Sequence, residues 1–256
     1  MTLASETEPF FAQGEPSGPD GLRVGVLLSH GFTGSPASIV PWGRHLAAQG
    51  FAVAVPRLPG HGTTWQDMNR TGWQDWYDEI DRAFDKLLAD CDSVVVGGLS
   101  LGGALALRLA EQRGQEVAGL VVVNPGLSSY SRLVPLRHVL KHVVPSTPAI
   151  KNDIKKPGQD ELAYDRVPTR AASSMVDAWQ VVIEELPKVT QPLLMFRSAE
   201  DHVVPPSSSQ LILRRVSSRD VSERILENSY HVATLDNDAP AIFEESVQFI
   251  RRVTRP

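Results

Sequence analysis

Gly98-Leu99-Ser100-Leu101-Gly102 sets one serine between two glycines. A serine hydroxyl is a poor nucleophile until a base removes its proton, so the pattern has meaning only if the chain supplies that base and an acid to orient it. The context fits a G-x-S-x-G turn, which throws the serine outward between a strand and a helix. The β-branched run Ser93 to Val96 precedes it, and a helical run through Ala104 to Ala110 follows. A side chain at either flanking glycine would collide with the turn, and Gly97 and Gly103 widen the clearance.

The chain has seven histidines, His30, His45, His61, His138, His142, His202 and His231. The order that accompanies a serine on such a turn is serine, acid, then histidine in a loop after the last strand. His231 meets it, following the run Val221 to Leu226 and the polar loop Glu227 to Tyr230, and preceding a helix from Ala241 to Val253. The loop Ser198-Ala199-Glu200-Asp201-His202-Val203-Val204-Pro205 offers the acid, and Asp201 is the choice, with Glu200 as competitor. Asp236 and Asp238 lie beyond the histidine, out of order, and His202 reads as an ordinary loop residue. A carboxylate at Asp201 would fix the His231 tautomer and stabilise the imidazolium formed as Ser100 loses its proton. The oxyanion of such an attack needs two preorganised donors. The expected ones are the backbone N–H groups of Leu101 and Phe32, the latter in the loop His30-Gly31-Phe32-Thr33-Gly34.

These residues need a scaffold that brings distant loops together. Apolar runs near 22–28, 51–55, 93–97, 117–123, 192–197 and 221–226 alternate with helical periodicity, as in Trp73, Trp76, Ile80, Phe84, Leu87 and Leu88. That alternation predicts an α/β fold with a mostly parallel sheet covered on both faces. The rhythm breaks between about 126 and 190, which reads as a small helical cap inserted into a single domain spanning 1–256. Within it Leu133, Leu136, Leu140 and Val143 form one helical face, with Arg132, Arg137 and Lys141 around it, and Met175, Trp179, Val182, Ile183 and Leu186 form another. Such faces either line an acyl tunnel, touch a lipid surface transiently, or pack on the core. Trp65, Trp73 and Trp76 read as core or rim residues.

The composition, 42% hydrophobic and 21% charged, is that of an ordinary globular protein. A net charge of -5 with scattered Lys and Arg gives no footprint for nucleic acid. The lone Cys91 reads as structural, and there is no clustered Cys/His set or H-E-x-x-H pattern for a metal. No cofactor is expected. Met1 to Gly14 lacks a basic, then apolar, leader and no run reaches the ~18 apolar residues of a membrane span, so the expected location is cytoplasmic.

Taken together, His30-Gly31-Phe32-Thr33-Gly34-Ser35-Pro36, Gly97 to Gly103, Ser198 to Val204 and Ser229-Tyr230-His231-Val232 resemble the bacterial carboxylesterase and monoacylglycerol lipase family of the α/β-hydrolase superfamily. Leu99 before the serine favours the carboxylesterase branch. The resemblance implies a triad of Ser100, Asp201 and His231, oxyanion donors at Phe32 and Leu101, and a cap over an acyl pocket. It further implies hydrolysis of short- or medium-chain esters or monoacylglycerols. The same triad serves thioesters, amides and carbon–carbon bonds, and a fold of this kind also persists as a non-catalytic binding protein, so these are the rival expectations. Oligomeric state is not legible.

Overall fold

In the computed structural model of the protein, residues 7–16, 21–131 and 134–255 are described. Nine strands are found among them: β1 (Phe10–Ala12), β2 (Val24–Ser29), β3 (Ala52–Val55), β4 (Ser93–Leu99), β5 (Val117–Val123), β6 (Ser146–Pro148), β7 (Arg166–Pro168), β8 (Leu193–Ser198) and β9 (Val221–Leu226). The main helices are α1 (Val40–Ala48), α2 (Trp73–Asp90), α3 (Leu101–Arg113), α4 (Arg137–Val143), α5 (Thr169–Glu185), α6 (Ser207–Arg215) and α7 (Ala239–Val253). Seven strands form one sheet in the order β1-β3-β2-β4-β5-β8-β9, parallel throughout except for β1. This is the mostly parallel α/β sheet that the strand and helix alternation predicts, in the α/β-hydrolase arrangement that the resemblance implies.

Strand periodicity divides the core. Val94, Val96, Leu120, Val122, Leu193 and Met195 point to one face, beneath α2, α3 and α5. Their neighbours Val95, Val121, Val123, Leu194 and Phe196 point to the other, against Trp42 of α1 and Ile242 and Phe249 of α7. Each such side chain, fully removed from water, contributes roughly 1.5–3 kcal/mol. Helix α3 is buried along almost its whole length from Leu101 to Ala110, because α5 covers the side that the sheet does not. Trp76 is buried in the same core as Ile80 and Phe84, as the spacing predicts.

Two features differ from the expected strands. β1 lies in a segment with no strand signal and joins β3 antiparallel through Phe10↔Val55. β9 is an edge strand whose residues Val221 to Ile225 are exposed, and ion pairs from Arg197 to Glu223 and from Arg224 to Glu245 run along it. Charged side chains on an edge discourage pairing with another chain, which accounts for a strand without a continuous apolar run.

The excursion between β5 and β8 holds α4 and α5 and, between them, the antiparallel pair β6–β7, which the sequence reading did not anticipate. The expected α4 face is split. Leu136 and Val143 are exposed while Leu140 lines a cavity, and Leu133 and Arg132 lie outside the described residues. The α5 face is shared: Met175 and Trp179 reach the same cavity, and Val182 and Leu186 pack into the core.

Candidate active site

Sheet order places the site. β3 lies on one side of β2 and β4 on the other, so the chain reverses its direction of winding between β2 and β4, where open α/β sheets leave a crevice at the carboxyl ends. The loop after β2 carries Phe32 and the turn after β4 carries Ser100, so the two line that crevice from adjacent strands.

Ser100 adopts φ 56° and ψ -116°, a region that non-glycine residues enter only under restraint. The restraint is visible. Its N–H donates to Val123 O at 3.0 Å, and its carbonyl accepts from Gly126 N at 3.1 Å and Ala104 N at 3.2 Å. Glycines are required beside it, because a Cβ on Gly98 would lie 2.4 Å from Gly102 C and one on Gly102 would lie 2.0 Å from Ser29 O. The serine side chain therefore emerges at the amino end of α3, where Leu101 N, in the first turn, has no intrahelical acceptor.

The opposite wall is built by the loop after β2. Gly31 faces the nucleophile, and a Cβ there would lie in ordinary contact, 3.4 Å from Ser100 Cβ. Among the described residues no hydrogen bond occupies the Phe32 N–H. The loop is held by two buried histidines. Leu58 N–H donates to His30 Nε2 at 3.2 Å, so the ring proton is on Nδ1 and is given to Gly31 O at 3.0 Å. Burial drives His30 down to about 4 and His61 well below its ordinary value, so both remain neutral. Phe32, His61 and Trp76 meet edge to face with centroids 5.4–6.4 Å apart. Sequence reading gave the two histidines no role, and none of their signals is visible without the packing.

From the far side of the sheet, β8 and β9 deliver the other two predicted residues. Asp201 Oδ2 is 2.8 Å from His231 Nδ1, and Asp201 Oδ1 accepts the N–H groups of Val203 and Val204, both at 2.8 Å. Burial opposes ionisation of both groups, but their mutual attraction and hydrogen bond outweigh it. Asp201 is thereby held below its ordinary value and His231, with help from Glu161 and Asp153, above it. The competing carboxylates are engaged elsewhere. Glu200 pairs with His202 Nε2 at 3.4 Å, Asp236 accepts Tyr230 N at 2.9 Å, and Asp238 accepts Asn228 N at 2.9 Å.

Ser100, Phe32, Leu101 and His231 border one cavity of about 520 Å³, so the structure brings four of the five predicted site residues to it and sets Asp201 behind His231. Leu140, Val176 and Trp179 make one wall apolar, and the acidic residues Asp153 and Glu161 also border the cavity. Such an arrangement can hold an acyl chain, remove a proton from a serine and receive negative charge at two backbone amides.

Three residues with a part in this geometry escaped the sequence reading. Asn124, in the left-handed region at φ 43°, ends β5 and staples three loops: its Nδ2 donates to His231 O at 2.8 Å and Ser198 Oγ at 2.9 Å, and its Oδ1 accepts Ser198 N at 2.8 Å. Asp153 and Glu161 belong to the polar run 151–165, where a carboxylate looks like a solvated loop residue. Glu161 is mostly buried, accepts Asn152 N at 2.7 Å, and is raised above the ordinary carboxyl value by that burial.

Residues 22–238 match the model of the family described as serine aminopeptidase, S33. A thermostable monoacylglycerol lipase of Bacillus sp. (strain H-257) is 38% identical over 252 residues, covering 98% of this chain and 96% of that protein. A carboxylesterase of Bacillus subtilis (strain 168) is 26% identical, covering 89% and 92%. A solved structure described under the metagenome-derived lipolytic enzymes LipS and LipT superposes with a TM-score of 0.91 at 40% identity, covering 96% of this chain and 98% of its own.

Proposed function

Because the chain belongs to the serine aminopeptidase, S33, family of hydrolases, we propose that it cleaves carboxylic esters, monoacylglycerols among them, through an acyl-enzyme on Ser100. The observation that carries the reading is the buried Asp201–His231 pair at 2.8 Å, whose histidine borders the same cavity as the strained Ser100 turn. His231 takes the Ser100 proton as the hydroxyl oxygen attacks the ester carbonyl, and Asp201 holds the imidazole with Nδ1 protonated. The oxyanion is received by the N–H groups of Leu101 and Phe32. His231 then protonates the departing alcohol, and a water, activated by the same ring, releases the acid. These steps use protein groups and water alone.

Substrate shape follows from the walls. The apolar side formed by Leu140, Val176 and Trp179 suits an acyl chain, and the carboxylate of Glu161 offers an acceptor to a hydroxylated alcohol. We further read the excursion 126–190 as a cap that meets lipid. Leu136, Val139, Val143 and Ile150 are each more than half exposed, and Ile150 also lines the cavity, so the apolar surface continues from outside to the mouth.

The test is hydrolysis of p-nitrophenyl esters from acetate to palmitate beside monoacylglycerol, for wild type and Ser100→Ala. Turnover that disappears in the variant, together with a chain-length optimum, is the expected result. A wild type inactive on every ester moves the assignment to another acyl bond or to binding without turnover.

A further inference from the structure

The polar run between β6 and β7 crosses the site as a strap. At one end Tyr164 N donates to Thr33 O at 3.0 Å, in the loop that carries Phe32. At the other end Lys155 N and Lys156 N donate to Asp236, at 2.6 and 2.8 Å, in the loop after His231. Two residues before Lys155 lies Asp153, whose side chain is 9% exposed and whose contacts all go to two loops distant in sequence. Oδ2 accepts the N–H of His231 and the N–H of His202, both at 3.2 Å. Oδ1 lies 2.7 Å from His202 Nδ1, and the Asp153 carbonyl accepts Val232 N at 3.1 Å.

We propose that Asp153 is a positioning residue for the reaction, acting through His231. Its single carboxylate oxygen, shared between the His202 and His231 amides, fixes the spacing of the acid loop and the base loop. The inference rests on the reading of Ser100, Asp201 and His231 given above. Other contacts tie the roots of these loops, Ser198 Oγ donating to Tyr230 O at 2.8 Å, Ala199 N to Leu226 O at 2.9 Å and Asn124 Nδ2 to His231 O at 2.8 Å, but among the described residues the Asp153 carboxylate alone joins the amides of residues 202 and 231. Asp153 also adds negative charge beside His231, close to its backbone N–H. The charged groups that face His231 are Asp201, Glu161 and Asp153. Asp153 in turn faces His202, which lies beside Glu200 and packs edge to face on Tyr230 at 4.8 Å, with Lys155 Nζ 5.6 Å from the centroid of the same Tyr230 ring.

The experiment compares wild type, Asp153→Ala and Asp153→Asn for kcat and KM on p-nitrophenyl butyrate, for melting temperature, and for the His231 titration by ring-proton NMR. Asp153→Ala frees both amides and lets the loops separate, and displacement of about 1 Å costs up to ~100-fold in rate, so kcat falls about 10-fold or more while KM, set by the acyl wall, stays within about threefold. Asp153→Asn keeps an oxygen for the two amides and can donate to His202 Nδ1, so kcat returns to within about threefold of wild type. Its His231 titration and the acid limb of kcat/KM both move down by about half a pH unit or more, because a charge that favours the imidazolium is gone. Two outcomes overturn the inference: kcat and titration unchanged in both variants, or a rate loss that merely tracks a fall in melting temperature with no titration shift in Asp153→Asn. Should Asp153→Ala fail to fold, Asp153→Asn decides alone. Wild type inactive on every ester sinks the ester reading, and the NMR titration still judges Asp153.

Discussion

Ser100 sits at φ 56° and ψ -116°, so replacing it by glycine and by alanine separates the strain of the turn from the chemistry of the hydroxyl. Both variants lose the nucleophile and are expected to be inactive. Only glycine relieves the backbone, where a side chain costs of order 1–3 kcal/mol. Against this, glycine adds roughly 0.5–1 kcal/mol of unfolded-chain freedom relative to alanine. The difference favours Ser100→Gly over Ser100→Ala by about 1.3 kcal/mol. With 256 residues and about 2.1 cal/mol/K of unfolding entropy for each, the melting entropy is near 0.5 kcal/mol/K, and the glycine variant should melt about 2–3 °C above the alanine variant. Paired calorimetric scans at one pH read this directly. If Ser100→Gly melts at or below Ser100→Ala, the turn is unstrained in solution, and the argument that the three hydrogen bonds to Val123, Gly126 and Ala104 restrain it collapses.

His231 is raised above 6.5 despite its burial, chiefly by Asp201, and must be neutral to accept the Ser100 proton. The rate constant kcat/KM should therefore rise with pH along a limb lying above 6.5, and Asp201→Asn should move that limb down while lowering kcat by about 10³–10⁴. The same pair has a stability signature. Asp201, held below 3.8 when folded, contributes stability that is present above 3.8 and lost as pH falls through its folded value; His231 contributes below 6.5 and loses it as pH rises through its folded value. Denaturant unfolding of Asp201→Asn should show its largest deficit between about 3.8 and 6.5, and an equal deficit at every pH would contradict the pairing. Gly102→Ala drives a Cβ to 2.0 Å from Ser29 O, an overpacking worth about 3 kcal/mol, or roughly 6 °C in melting temperature. Gly31→Ala meets Ser100 Cβ at an ordinary 3.4 Å and should melt within about 2 °C of wild type.

Much of the scaffold was legible because its signals are local. The parallel strands are buried on both faces, so β2, β4, β5 and β8 read as apolar runs, and helix α2 shows its buried residues Trp76, Ile80 and Phe84 at regular spacing. β1 escaped because three residues in an irregular lead-in carry no period, and what makes them a strand is the exposed edge of β3. β9 was found through Val221 and Ile225, but the exposed face of that edge strand is set by its position, which no alternation within the strand encodes. The excursion resisted for a further reason. Its apolar stripes face mixed surroundings, cavity and solvent on α4 and cavity and core on α5, which a single helical period does not encode.

Legibility of the site divides along the same line. A residue whose role is fixed by its own turn, such as Ser100 between Gly98 and Gly102, announces itself by type and spacing. Asp201 and His231 could be placed by chain order because β8 and β9 are adjacent and parallel, so their carboxyl ends open at the same edge of the sheet. Asp153, Glu161 and Asn124 have no such address. Asp153 lies 78 residues from His231, and its value as an acceptor exists only once the strap has crossed the two loops. Carboxylates in a polar run are ordinarily solvated, and nothing in 151–165 distinguishes the two that are buried from those that are not. The distinction is made by the sheet: two loop amides left without acceptors at its carboxyl edge require a buried oxygen, and the run supplies it at the position where the strap passes over them. Reading such a residue from sequence therefore requires knowing first which backbone donors the fold strands.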